Sequence, residues 1–327
     1  MKIDIKDPNM IPVPIQDMIS GTVIAVDLHI KLSDNKFIVI QRAGQKTNRE
    51  QLKNYENKTI EYLWIKKSDY YNFIDCNLVV AGVILTHKNL GLTQKVHILG
   101  QISASVFLEL EHVGMTLEAY SHCKQIVEAT VALADIHGDL NDLFNGLKNC
   151  SDGLVRHSLA VCYVSVLIAQ ELQWKNKAII EKLALGALLH DIGLKTLPPT
   201  LIDKHKSKMT FDEIQLYEQH PFKGMEQLAS LRIVPDDIIA IIYQHHENSI
   251  GQGYPRKLRN AKIHPMARVV ALAAEFCNLT ITAASNPQVQ TISQALQTIE
   301  VTMGQPYNKD VFRALQIALK KELRKAA

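Results

Sequence analysis

The sequence predicts a mainly α protein, in which an all-helical C-terminal bundle follows a small α+β N-terminal module. Three observations carry that expectation. Strand-like alternation of apolar and polar residues is confined to the first 86 positions. From residue 87 onward, apolar residues recur at helical spacing. The 327 residues, 47% hydrophobic and 21% charged, suffice for two domains with real cores. The expected division is a regulatory or partner-binding module over 1–86, connecting helices over 87–149 and a helical domain over 150–327.

In the module, "TVIAVDLHIKL" and "KFIVIQRAG" read as strands separated by the turn signal "SDNK", and "IEYLWIKK" reads as a third. "NREQLKNYEN" and "SDYYNFIDC" read as short helices, the second opened by a Ser68 N-cap. Arg42, Lys66 and Lys67 read as solvated surface. The amphipathic stretch over 105–149 contains His112, His122 and His137, which read as surface or internally satisfied histidines.

Beyond residue 150 the helices become more apolar. "VRHSLAVCYVSVLIAQEL" is apolar on most faces and should be buried, with His157 in its first turns. "AIIEKLALGALLHDIG" carries His190 and Asp191 in its last turn, with Gly193 as the C′ residue that stops it. "TFDEIQLYEQH" opens on a Thr210/Glu213 capping box and ends at His220, where Pro221 can start the next helix. Ile241 and Ile242 lie four residues before His245 and His246, so both histidines continue an apolar face. The alanine-rich helix from Pro265 allows close packing.

Composition excludes several classes. A net charge of +3, without Lys/Arg blocks interleaved with aromatics, argues against a nucleic-acid polymer, and the basic "KKELRKAA" reads as a solvated helix end. The N-terminus lacks a signal-peptide stretch, and runs such as "LVVAGVIL" fall well short of the ~20 residues of a spanning helix. The five scattered cysteines have no CxxC spacing and read as free thiols. A cytoplasmic protein without membrane contact is expected.

Six residues at the ends of buried helices remain: His157, His190, Asp191, His220, His245 and His246. Burying that many ionisable groups without partners costs several kcal/mol. A shared metal centre removes the cost, because neutral imidazole is a good ligand for Fe, Zn or Mn and helix bundles build such centres from inward side chains. A carboxylate adjacent to a histidine can bridge two cations. His245 and His246 would point about 100° apart on a helix, so they would serve different metals or sit at a frayed helix end.

"HDIG" at 190–193, then "HPFKGMEQL", "HHE" and "GQGYP" in that order, resembles the HD-GYP family over residues 150–285. The resemblance implies an all-helical HD fold, a site for two divalent transition metals (iron first, manganese or zinc as alternatives) and hydrolysis of cyclic di-GMP or a related phosphodiester. By that likeness the six residues fall on metal-ligand positions, with Asp191 also catalytic. Gly251, Gly253, Tyr254 and Pro255 form the signature turn over the substrate, which in some members contacts diguanylate cyclases (GGDEF proteins). The chain departs from the family pattern at five positions. Leu194 replaces a lysine, with Lys195 one step later as its catalytic stand-in. Ile250 replaces an aspartate. Ala274 replaces the last aspartate ligand, with Glu275 adjacent as a replacement candidate. Cys277 replaces the aspartate that follows. Gly153 stands where three-metal members carry glutamate. Two functions therefore stand: a cyclic di-GMP phosphodiesterase with an altered site, or a catalytically degenerate module acting as nucleotide receptor or signalling scaffold.

Overall fold

Apolar alternation does produce a sheet at the N-terminus, but one strand larger than expected. The computed structural model describes residues 7–33, 36–136, 140–282, 288–302 and 307–325. Within them the chain forms two compact units, Met1–Ala129 with Asn145–Val155, and Thr130–Phe144 with Arg156–Ala327. In the first unit, β1 (Met10–Pro14), β2 (Leu28–Ser33), β3 (Lys36–Gln41) and β4 (Tyr62–Lys66) form an antiparallel sheet of order β1-β4-β2-β3. Pro12 and Pro14 hide β1 in the sequence. It is an edge strand, the place in a sheet where a missing N–H is tolerated. The strand expected from residue 22 starts only at Leu28; Val23 makes a lone bridge to Lys46.

Helix α1 (Arg49–Asn57) starts on Asn48, whose side chain accepts from the Glu50 N–H at 2.8 Å. The short helix expected at 68–76 is the 17-residue α2 (Tyr70–Thr86), so helical structure begins well before residue 87. Ser68 does not cap it; its hydroxyl donates to Asp69 inside a preceding 3-10 turn. Helix α3 (Leu92–His112) packs on α2 and on β1, and the buried Tyr70 hydroxyl donates to the Ser105 carbonyl of α3. Helix α4 (Leu117–Ile136) carries His122, which is buried and bonded; His137 lies outside the described residues.

After α5 (Leu140–Leu147) comes α6 (Gly153–Glu171). Among the described residues α6 is the one helix long and apolar enough to cross a membrane, but 72% of its apolar window is buried, as in a core helix. Then follow α7 (Lys177–Leu189), α8 (Pro199–Ile202), α9 (Phe211–Tyr217), α10 (His220–Ala229), α11 (Asp236–Gln244), α12 (Pro265–Thr280), α13 (Ile292–Thr302) and α14 (Lys309–Lys325). The Thr210/Glu213 capping box is formed in both directions. Helix α11 lies against α7, α10 and α12, and the ends of these helices define the site.

Candidate metal centre

Each of three helix ends delivers one histidine. Helix α7 stops at Leu189, so His190 is its C-cap rather than part of its last turn. Helix α11 stops at Gln244 with His245 as C-cap, and His220 follows the end of α9. The last carbonyls of a helix have no intrahelical donor. Here the imidazoles supply one: Nδ1 of His190, His220 and His245 donates to the carbonyl three residues earlier, on Ala187, Tyr217 and Ile242, at 2.7, 2.8 and 2.8 Å. With the ring proton committed to Nδ1, each neutral ring turns an Nε2 lone pair inward.

Asp191 stands at the focus of those lone pairs. Its Oδ1 lies 3.1 Å from His220 Nε2 and 3.3 Å from His245 Nε2, and those two nitrogens are 3.3 Å apart. Its Oδ2 lies 3.2 Å from His190 Nε2 and 3.8 Å from His157 Nε2. Among the described residues no N–H reaches Oδ1, and the buried Nε2 of His246 has no partner either. Lone pairs facing one another at hydrogen-bond distance need a cation between them. The donor set, five imidazoles and one carboxylate, suits a divalent transition metal.

The electrostatics agree. Burial pushes His157 and His245 down to about 4 and His246 well below the ordinary histidine range. Burial works against ionising Asp191 too, but the surrounding histidines outweigh it and hold the carboxyl well below its usual value. Burial likewise opposes charge on His190, yet the carboxylate 3.2 Å away raises its pKa, so a proton there competes with a cation for the same lone pair.

All six expected ligands are brought together, in two groups that share Asp191: His157, His190 and Asp191, and Asp191, His220, His245 and His246. The adjacent histidines therefore belong to one group, made possible because α11 ends before them. Gly193 is not a C′ residue. It lies in a 3-10 turn (Ile192–Thr196), and an added Cβ would sit 2.0 Å from the His220 carbonyl oxygen. Its smallness lets the His-Asp turn touch α10. Leu194 is buried on that turn and Lys195 is half-buried. Gly153 opens α6 and offers no donor. Ala274 is buried on α12, and Cys277 is a buried free thiol on the same helix. Glu275 is in neither group; burial raises its carboxyl pKa, and its charge in turn raises that of Tyr307.

The Gly-Tyr-Pro turn is fastened to the ligand helix. At Gly253 a Cβ would meet the His246 carbonyl oxygen at 2.3 Å, and the Tyr254 N–H donates to that same oxygen. The buried Glu247 carboxylate accepts from the backbone N–H groups of Arg256 and Leu258 at 2.6 and 2.7 Å. That role of Glu247 was not visible in sequence. Arg256, Lys257, Arg259 and Lys262, four cations in seven residues, are all exposed, so the C-terminal stretch is not the one locally basic segment.

A helical bundle with a buried histidine–aspartate cluster at its helix ends has a donor set that could hold a metal ion. The family model described as HD domain matches residues 145–311. The chain belongs to the HD domain family. Over 134 residues it is 31% identical to a cyclic di-GMP phosphodiesterase of Pseudomonas aeruginosa, covering 41% of this chain and 32% of that one. Over 169 residues it is 28% identical to a cyclic di-GMP phosphodiesterase of Thermotoga maritima, covering 51% and 45%. The chain thus spans less than half the length of these curated relatives. Among solved structures, an HDG"Y"P protein from Bdellovibrio bacteriovorus matches 95% of this chain and 100% of its own at TM-score 0.72 and 21% identity, which shows the shared fold.

Proposed function

We propose that the chain is a metal-dependent phosphodiesterase that hydrolyses cyclic di-GMP or a closely related cyclic dinucleotide to linear pGpG and then GMP. One observation carries the reading: a buried carboxylate, Asp191, faces histidine Nε2 atoms on both sides, two of which have committed their ring proton to a carbonyl and have none left for its Oδ1. The substrate class rests on the names of the curated relatives. Two divalent transition metals, iron first and manganese or zinc as alternatives, would supply the Lewis acidity that activates a water and neutralises phosphate charge. His157, His190 and Asp191 would hold one, and Asp191, His220, His245 and His246 the other.

The chain's own residues do the rest. The carbonyl-anchored rings are set in ligand orientation before any ion arrives, so little reorganisation is needed on binding. Asp191 ties the two groups together. Lys195, on the 3-10 turn that follows Asp191, would meet a phosphate oxygen in place of a lysine at 194. Gly251, Gly253, Tyr254 and Pro255 would border the substrate, and the exposed Arg256, Lys257, Arg259 and Lys262 suit its phosphates or an acidic diguanylate cyclase (GGDEF) partner. The five free thiols fit a reducing cytoplasm.

A second reading has its own observation. Ala274 carries no carboxylate and Glu275 lies outside both ligand groups, so one metal would have three protein ligands; the module would then bind nucleotide or a partner without turnover. Metal analysis of anaerobically purified protein, with a cyclic di-GMP assay, tests both. Two metals per chain, pGpG release and loss of both in Asp191→Ala support the enzyme. Two metals without turnover support the receptor. Protein that refuses added Fe(II) and Mn(II) overturns the metal centre.

A further inference from the structure

Three of the five histidines in the centre are held by backbone carbonyls, and within the four-ligand group His246 is the histidine held in another way. His190, His220 and His245 are each pinned by an Nδ1–H···O=C bond. The ring of His246 makes no hydrogen bond among the described residues, although it sits in the four-residue ligand group. Something else must fix its rotation.

The Tyr254 ring lies flat against it, with centroids 4.5 Å apart and planes inclined by 23°. On Tyr254, Lys206 places its Nζ 4.8 Å from the ring centroid, and that ammonium is held by Glu218 at 2.8 Å. The tyrosine itself cannot drift. Its N–H is bonded to the His246 carbonyl, Gly253 packs against the same peptide, and Glu247 clamps Arg256 and Leu258 beyond Pro255. The Tyr254 hydroxyl is buried and has no partner, so the ring and not the hydroxyl makes the described interactions.

We infer that Tyr254 is a positioning residue: its ring, backed by Lys206, holds His246 in ligand orientation in place of the carbonyl bond that His190, His220 and His245 use. The inference rests on the metal-centre reading above. It assigns the tyrosine of the signature turn to the four-ligand group and leaves the His157–His190–Asp191 group independent of it.

Anaerobic Mn(II) titration of the full chain, with bound metal counted per chain, tests this. Tyr254→Phe keeps the ring and should bind both ions as the wild type does. Tyr254→Leu keeps apolar bulk and removes the ring; it should weaken one of the two ions by roughly tenfold or more, as loss of a ligand-orienting partner does, and leave the other unchanged. Lys206→Ala, a half-exposed change that spares the fold, should weaken the same ion about two- to fivefold, the worth of an exposed cation–π contact. Equal weakening by Phe and Leu would show that the hydroxyl is what matters and overturns the inference. So does a leucine variant that binds both ions normally. If that variant does not fold, an unchanged Lys206→Ala overturns it. A wild-type chain that takes up no metal overturns instead the reading beneath.

Discussion

Ala274 sets the limit on what the individual residues can do. The group His157, His190 and Asp191 offers three donors, and Ala274, buried on α12, is the position where the family likeness would put a fourth, anionic donor. Ala274→Asp should therefore tighten binding of one metal by roughly tenfold, about 1.4 kcal/mol. It should also lower the melting temperature of the metal-free protein, because a buried carboxylate without a cation is costly. Melting curves with and without Mn(II) read both effects, and the gap between them should widen. Glu275→Gln should leave the gap alone, since Glu275 belongs to neither ligand group. If Glu275→Gln narrows the gap while Ala274→Asp does nothing, α12 is turned by one residue relative to this account. The ligands themselves were legible in sequence because histidines and an aspartate at the ends of apolar helices have few other uses. Lys206 and Glu247 were not, since their partners Tyr254, Arg256 and Leu258 are 48, 9 and 11 positions away and only a folded turn joins them.

At the level of elements, the centre is built from chain ends. Helices α7, α9 and α11 turn their C-termini, the negative ends of their dipoles, toward one carboxylate and its histidines, an arrangement that favours a cation. Periodicity showed these helices, and the capping box of α9 was readable residue by residue. Their ends were harder to read: Gly193 looks like a helix stop but is a spacer between the 3-10 turn and α10. Strand β1 escaped because two prolines mask an edge strand, and α2 was cut short because only its first turn carries clear signals. Gly193→Ala checks the spacer directly. Its Cβ would collide with backbone, the His220 carbonyl oxygen at 2.0 Å, and backbone cannot swing aside as a side chain does. The expected result is a loss of roughly 1–3 kcal/mol in urea unfolding together with weakened metal uptake, because His220 moves with its peptide. An alanine variant with wild-type stability and metal content would mean that the turn and α10 have room to separate.

Across the whole molecule the two units answer pH in opposite directions. In the unit that holds the candidate centre, protons would compete with a bound cation for the imidazoles, so acid should release metal and remove its stabilisation. In the sheet-containing unit the buried groups favour acid. Asp17, 1% exposed, keeps one oxygen unpartnered and takes a hydrogen bond from Ser151 on the other; burial, with Asp152 nearby, lifts its pKa from 3.8 to about 6. Between those values the folded chain holds a proton that the unfolded chain has lost, so stability falls as pH rises through the window, and the full penalty, roughly 3 kcal/mol at most, stands at neutral pH. His122 adds to the trend. Burial opposes its charge, but Glu109 at 2.8 Å and Asp75 at 3.2 Å outweigh that and raise its pKa, so its contribution is present below 6.5 and lost as pH climbs through the raised value. The chain's two tryptophans make the units separable: Trp64 belongs to the first and Trp174 to the second. In a Trp174→Phe background, the urea midpoint read by Trp64 fluorescence should fall from pH 5 to pH 7.5. Asp17→Asn should recover most of the loss at pH 7.5 and change little at pH 4, where the native carboxyl is already protonated. A midpoint that rises over the same range, or an asparagine variant less stable at pH 7.5, would show that the Asp17 carboxylate is paired in solution and that its burial is not what sets the acid preference of this unit.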